Sequence, residues 1–190
     1  MKMIRFSLLL ILLVPSLISA QSRYREAHRS ILHKMDMMRA LQASPGKGPA
    51  APDPTDNQDY FDIYHYSIDI AFNDSTSYVA GTVTASLVSL MPGLSSLDMN
   101  ADPVLTIDGV HAAGQGTLSY SRSGDVVSID LASPLSEGDS LDIVIDYGGY
   151  PGGADNVGLH FDSYNGSSLI WSLSEPWSAR SWWPCKDYPE

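Results

Sequence analysis

From Tyr64 onward the chain changes polarity with a period of two, and this limits it to a small set of folds. In Tyr64-His65-Tyr66-Ser67-Ile68-Asp69-Ile70-Ala71-Phe72 the even positions are apolar and the odd ones polar or small. Side chains on a strand alternate between the two faces of a sheet, so this pattern predicts a strand with one buried face. Asn73-Asp74-Ser75 supplies a turn. A second alternating run carries Val79, Gly81, Val83, Ala85 and Leu87 and is broken at Pro92-Gly93. Leu105-Thr106-Ile107 precedes Asp108-Gly109, a pair that favours a turn with positive φ. Val127, Ile129 and Leu131 form a further strand, Glu137-Gly138-Asp139 turns the chain, and Leu141, Ile143 and Ile145 continue to Gly148-Gly149. Leu159-His160-Phe161 and Leu169-Ile170-Trp171 are the last strand candidates. Many short strands with regular turns and no helical pattern between them predict an all-β fold, an antiparallel sandwich or saddle-shaped sheet. Its inner faces bury β-branched and aromatic side chains, worth roughly 25 cal/mol per Å² of apolar surface. No internal repeat points to a propeller or solenoid.

The segment before Tyr60 is organised differently. Residues 1–20 read as a secretory signal: Lys2 and Arg5 give the positive start, Phe6 to Val14 is a short apolar run, and Pro15 to Ala20 leads to small residues. The apolar run is short for a membrane span, which takes about 20 residues; the alternative reading is an uncleaved N-terminal anchor. Residues 21–43 have helical spacing, with Tyr24, His28, Ile31, Met35, Met38 and Gln42 at threes and fours. Residues 44–59 are rich in Pro, Gly and Asp without periodicity and read as an extended linker. The folded domain is expected over residues 60–190.

Charge and cysteine usage narrow the function. The chain has 190 residues and a formal charge of -11; loss of residues 1–20 removes two cations and no acid, which gives -13. A surface this acidic repels phosphate backbones and anionic lipid, which argues against nucleic acid as a partner. Cys185 is the single cysteine, so an internal disulfide is excluded and an exported domain depends on its apolar core. Cys185 lies between Pro184 and Lys186. Adjacent side chains in an extended segment point apart, so it reads as a buried structural thiol rather than a nucleophile. Asp187, before Tyr188-Pro189, reads as a turn or capping residue. Trp171, Trp177, Trp182 and Trp183 crowd the C-terminal part. Large apolar rings exposed together mark an interface, so these rings are expected to pack against a further domain.

The run Ser174 to Glu190, SEPWSARSWWPCKDYPE, is too dense in rare residues to come from strand periodicity or turn chemistry. It places Glu175 before a proline, then Ala179-Arg180, then Trp183-Pro184-Cys185, then Asp187 and Pro189. This order resembles the signature that closes the N-terminal domain of the aminopeptidase N family, the gluzincin zinc metallopeptidases. Trp182-Trp183 and Lys186 are similar to secreted bacterial members. The likeness spans residues 60–190, concentrated in the final run.

The resemblance implies a domain that supports a catalytic domain following it in the parent enzyme, which hydrolyses N-terminal residues from peptides. It implies that Glu175 helps bind the substrate's free α-ammonium. An exopeptidase has to recognise a chain end, and a carboxylate in a closed cleft forms a charge-assisted hydrogen bond that an internal peptide bond cannot replace. Ala179, Arg180, Trp183, Pro184, Cys185, Asp187 and Pro189 are implied to be structural. Many members carry glutamine where this chain has Leu173, which leaves substrate preference open.

The family's zinc site needs H-E-x-x-H, two imidazoles one helical turn apart. His28 and His33 are five apart with Arg29 after the first, and His65, His111 and His160 stand alone. Zinc is therefore expected in the full-length enzyme, with no metal bound by this chain and no catalysis by it. The expected partners are a peptide N-terminus and a missing downstream catalytic domain, and the expected location is periplasmic or extracellular. The alternative is a secreted, non-catalytic β-sandwich module that binds peptide or carbohydrate.

Overall fold

The computed structural model describes residues 23–37, 39–40, 54–151, 158–175 and 177–188. The signal segment and residues 44–53 of the linker lie outside them. Ten strands follow one another: β1 Phe61–Asn73, β2 Tyr78–Ser89, β3 Leu94–Asn100, β4 Leu105–Ala112, β5 Gly116–Thr117, β6 Ser119–Ser123, β7 Val126–Leu135, β8 Ser140–Gly149, β9 Gly158–Tyr164 and β10 Ser167–Leu173. They form a five-stranded sheet in the order β1-β2-β8-β4-β5, a three-stranded sheet β3-β7-β6 and a hairpin of β9 and β10. All the strand pairings are antiparallel. The fold is an all-β sandwich, as the alternation predicts.

The two larger sheets share one core. Val79, Val83, Ala85 and Leu87 of β2 and Leu141, Ile143, Ile145 and Tyr147 of β8 join Leu97 and Met99 of β3 and Val127 and Ile129 of β7 in a single buried cluster. A fully buried Val, Leu or Ile side chain stabilises the fold by about 1.5–3 kcal/mol. Polar ties fasten one layer to the other. The Arg122 guanidinium on β6 donates to the carbonyls of Leu105 and Ala101, and Tyr120 Oη donates to the Ile107 carbonyl at 2.7 Å.

Two local expectations are corrected. Asp108-Gly109 is not a hairpin turn. β4 runs straight through it, with a register shift between Ile107 and Gly109 against β8. Gly109 does not take positive φ. The pairing of β4 with the long β8 outweighs the local turn preference there. The linker, expected to run to residue 59, gives way earlier. Asp56–Tyr60 forms a 3-10 turn, and the Gln58 side chain is fully buried. Thr55 N donates to Gln58 Oε1 at 3.1 Å.

β1 is an edge strand. A bulge between Ile63 and His65 places Tyr66, Ile68, Ile70 and Phe72 opposite Ala85, Val83, Gly81 and Val79; Tyr66 and Ile70 are half-buried, whereas Ile68 and Phe72 stay exposed at this edge. Tyr66 packs edge-to-face on Trp183 (ring centroids 4.9 Å apart), and Phe72 packs on Phe161 (6.3 Å). The β9–β10 hairpin and the C-terminal run thus close the open side of the sandwich. The hairpin turns at Asn165-Gly166, both at positive φ (49° and 78°), the backbone of a type I′ turn.

Residues 23–37 and 39–40 are helical. The half-buried positions are Ala27, Ser30, Ile31, Lys34 and Met35, one stripe at helical spacing. Ile31 and Met35 are the apolar centre, but Tyr24 and His28 face solvent and stack loosely on each other (6.2 Å). Among the described residues no helix is long and apolar enough to cross a membrane.

Candidate functional site

Glu175 lies in the turn just past β10, with its side chain 71% exposed. Its Oε2 is 3.3 Å from Nε of Arg39 on the N-terminal helix. Pro176 and Pro189 fall outside the described residues. Leu173, two residues before Glu175, is buried. Its side chain is therefore committed to packing within the domain.

The remaining residues of the run form a clasp. Ala179–Ser181 is a short 3-10 turn whose centre is Arg180. The Arg180 Nη1 donates to the Trp177 carbonyl at 3.0 Å and to Asp187 Oδ2 at 3.1 Å, and Nε lies 3.1 Å from Asp125 Oδ2. The planar fork of guanidinium suits such a three-way junction. It ties the Glu175 turn to the β6–β7 connection and to the end of the run. Asp187 is buried. Desolvation pushes its carboxyl above the ordinary carboxylate range, against the hydrogen bonds and charge of Arg180.

Cys185 is 2% exposed and forms an antiparallel bridge with Asn100 at the end of β3. Burial, and then the neighbouring Asp187 charge, raise its thiol well above the usual cysteine value. Such a thiol stays protonated and is a poor nucleophile. Pro184 precedes it, buried and without an N–H to satisfy. Lys186 N donates to Tyr66 Oη at 2.8 Å, and its Nζ donates to the Phe61 carbonyl at 3.0 Å while lying over the Phe61 ring.

Trp171, Trp182 and Trp183 already have partners within the domain, while Trp177, Trp182 and Trp183 stay only half-buried. Trp171 is buried and stacks flat on His160 (4.0 Å, 9°). Trp182 donates Nε1 to Ser174 Oγ at 3.0 Å and packs on the core beside Trp183. Trp171 is paired within the β9–β10 hairpin, and Trp183 meets Tyr66 of β1 where the C-terminal run folds back over the sandwich.

Sequence reasoning passed over several residues. Asn100 Oδ1 accepts from Gln58 Nε2 at 2.7 Å and from Asp187 N at 3.1 Å, in a fully buried hub. Asp162 accepts Trp171 Nε1 at 3.5 Å and pairs with Lys34. On the solvent face of the five-stranded sheet, Asp69, Asp108, Asp146 and Thr82 line a shallow groove of about 380 Å³, with His111 3.8 Å from Asp146. None of these gives a local signal, since each partner lies on a different element of the chain.

Among the described residues no set of three His, Cys, Asp or Glu side chains comes together in a way that could hold a metal ion.

No family model and no curated protein matches the chain. Solved structures do match. The chain is similar to the M1 zinc metallopeptidase from Deinococcus radiodurans, at 24% identity and a TM-score of 0.59, over 70% of this chain and 30% of that one. A mutant of that metallopeptidase bound to a Tyr-Ser-Ala substrate matches at 23% identity and a TM-score of 0.58, with the same coverage. Native yeast LTA4 hydrolase matches at 20% identity and a TM-score of 0.56, over 76% of this chain and 24% of that one. The chain thus spans less than a third of the length of these structures, and at such identities the likeness establishes a shared fold.

Proposed function

We propose that this chain is the N-terminal domain of an exported, zinc-dependent aminopeptidase that removes N-terminal residues from peptides. In this reading the zinc and the groups that carry out hydrolysis belong to a following catalytic domain. This chain supports that domain and offers Glu175 to the substrate's α-ammonium. The observation that carries the reading is that two independent lines agree. The final run has the order of the aminopeptidase N signature, and the chain has the fold of a segment of M1 zinc metallopeptidases, one of them bound to a tripeptide.

The local geometry is consistent with the role. Glu175 stands at a strand end, its carboxylate open to solvent and already next to a cation. Arg180 holds the carbonyl of Trp177, two residues further on, and so limits the freedom of the turn. A carboxylate held in this way selects a charged amine over a neutral amide and places the first peptide carbonyl at a fixed distance.

The test has two parts. The reading frame of the parent gene should continue into G-x-M-E-N and then H-E-x-x-H. In that full-length enzyme, Glu175→Ala should lower kcat/KM by about 1.5–3 kcal/mol, the range of a hydrogen bond to a charged group. An unchanged kcat/KM would leave Glu175 as a loop residue. A frame without a metal-binding helix would remove the peptidase reading altogether.

A further inference from the structure

The N-terminal helix lies along the β9–β10 hairpin and is fixed to it at three points. Tyr164 Oη donates to Glu26 Oε2 at 3.4 Å near the hairpin turn, Lys34 pairs with Asp162 on β9, and Arg39 meets Glu175 just past β10. The lengths agree. Thirteen residues separate Glu26 from Arg39, about 20 Å of helix at 1.5 Å per residue. The six steps from Ser167, paired with Tyr164, to Leu173 cover about 20 Å of strand. The half-buried stripe of Ala27, Ser30, Ile31, Lys34 and Met35 fits a docked helix rather than one standing free in water.

We infer that this helix is an internal cap, with Arg39 occupying the carboxylate of Glu175 and competing with an incoming amine. The inference rests on the reading of Glu175 as the acceptor of a substrate ammonium. A guanidinium and an ammonium seek the same oxygen, so one has to leave for the other to bind. The Arg39 and Glu175 side chains are 50% and 71% exposed, and an ion pair this open is weak enough for a ligand to displace. Its local concentration is set by the docked helix rather than by the pair itself. The contacts at Glu26 and Lys34 thus keep Arg39 beside Glu175 without making the pair permanent.

The experiment is a titration of the 190-residue chain with L-alanine amide, a small amine without a carboxylate, followed by NMR of backbone amides. N-acetylalanine amide, which has no ammonium, is the control. The proteins compared are the unaltered chain, Arg39→Gln, Glu175→Gln and the double variant. Arg39→Gln should tighten binding of the amine about two- to fivefold, as expected for loss of an exposed competing ion pair. The double variant should lose that gain. If the unaltered chain and Arg39→Gln bind the amine equally, both through Glu175, the cap is overturned and the amine-acceptor reading stands. If neither shows binding that depends on Glu175, the cap is overturned, and the amine-acceptor reading is decided by the kcat/KM of Glu175→Ala in the full-length enzyme.

Discussion

Asn100 and Cys185 exchange both backbone hydrogen bonds, at 2.6 and 2.9 Å, so the C-terminal run adds a rung to the end of β3. The Asn100 side chain completes the junction by accepting from Gln58 and from Asp187 N, which joins the start, middle and end of the domain. Asn100→Ala deletes that acceptor and leaves two buried donors unsatisfied. Each unmet buried group costs about 1–3 kcal/mol, but the substitution also removes Asn100 Nδ2, which is itself buried without a partner, so the expected loss is about 2–4 kcal/mol. Urea unfolding measures it. A loss below half a kcal/mol would mean that water or a rearranged backbone serves both donors.

Cys185 should be silent towards thiol reagents in the folded chain. Its burial both blocks access and holds the thiol protonated. A maleimide or aromatic disulfide reagent should label it fully in denaturant and only at the rate of unfolding in buffer. Rapid, complete labelling of the native chain would place Cys185 in a mobile segment rather than beneath a clasp.

Arg180 counters the burial of Asp187. Arg180→Met leaves that carboxyl without its cation and is expected to cost about 3–5 kcal/mol, as for a buried pair that loses one partner. Arg180→Met combined with Asp187→Asn should recover part of the loss, because no unpaired charge is left. A double variant no more stable than Arg180→Met would show that Arg180 acts mainly through Asp125 and the Trp177 carbonyl.

The strands of the sandwich were legible because their burial is periodic and local. β2, β7 and β8 alternate as their residues predict, with Val79, Val83, Val127, Ile129, Ile143 and Ile145 all buried. β6, Ser-Tyr-Ser-Arg-Ser, carries almost no apolar signal and is a strand through its pairing with β7. β3 was missed for a different reason. Asp98 and Asn100 are buried polar residues on its C-terminal half, covered by segments distant in sequence. In the final run, residue types pointed to a family pattern. They could not reveal that Trp182 and Trp183 pack against the core, or that Glu175 already faces Arg39. Those facts depend on contacts across eight residues in one case and 136 in the other.

His160 should give the fold a pH dependence that its neighbours do not mimic. Its ring is half-buried against Trp171, and burial holds its pKa below the ordinary value near 6.5, with Lys34 adding to the effect and Asp162 opposing it. The folded state therefore resists taking up a proton that the unfolded chain accepts. The contribution to stability is full above about pH 6.5, declines as pH falls below that value towards the folded pKa, and levels off beneath it. The steepest slope one group can give is about 1.4 kcal/mol per pH unit. Asp162, held low by the hydrogen bond from Lys34, acts only in a more acidic window, so the two effects separate on the pH axis. His160→Phe keeps a ring for Trp171 to stack on and removes the titration. Urea unfolding at about pH 5 and about pH 7.5 should show a smaller difference in the variant than in the unaltered chain. The same difference in both would assign the pH dependence to groups other than His160.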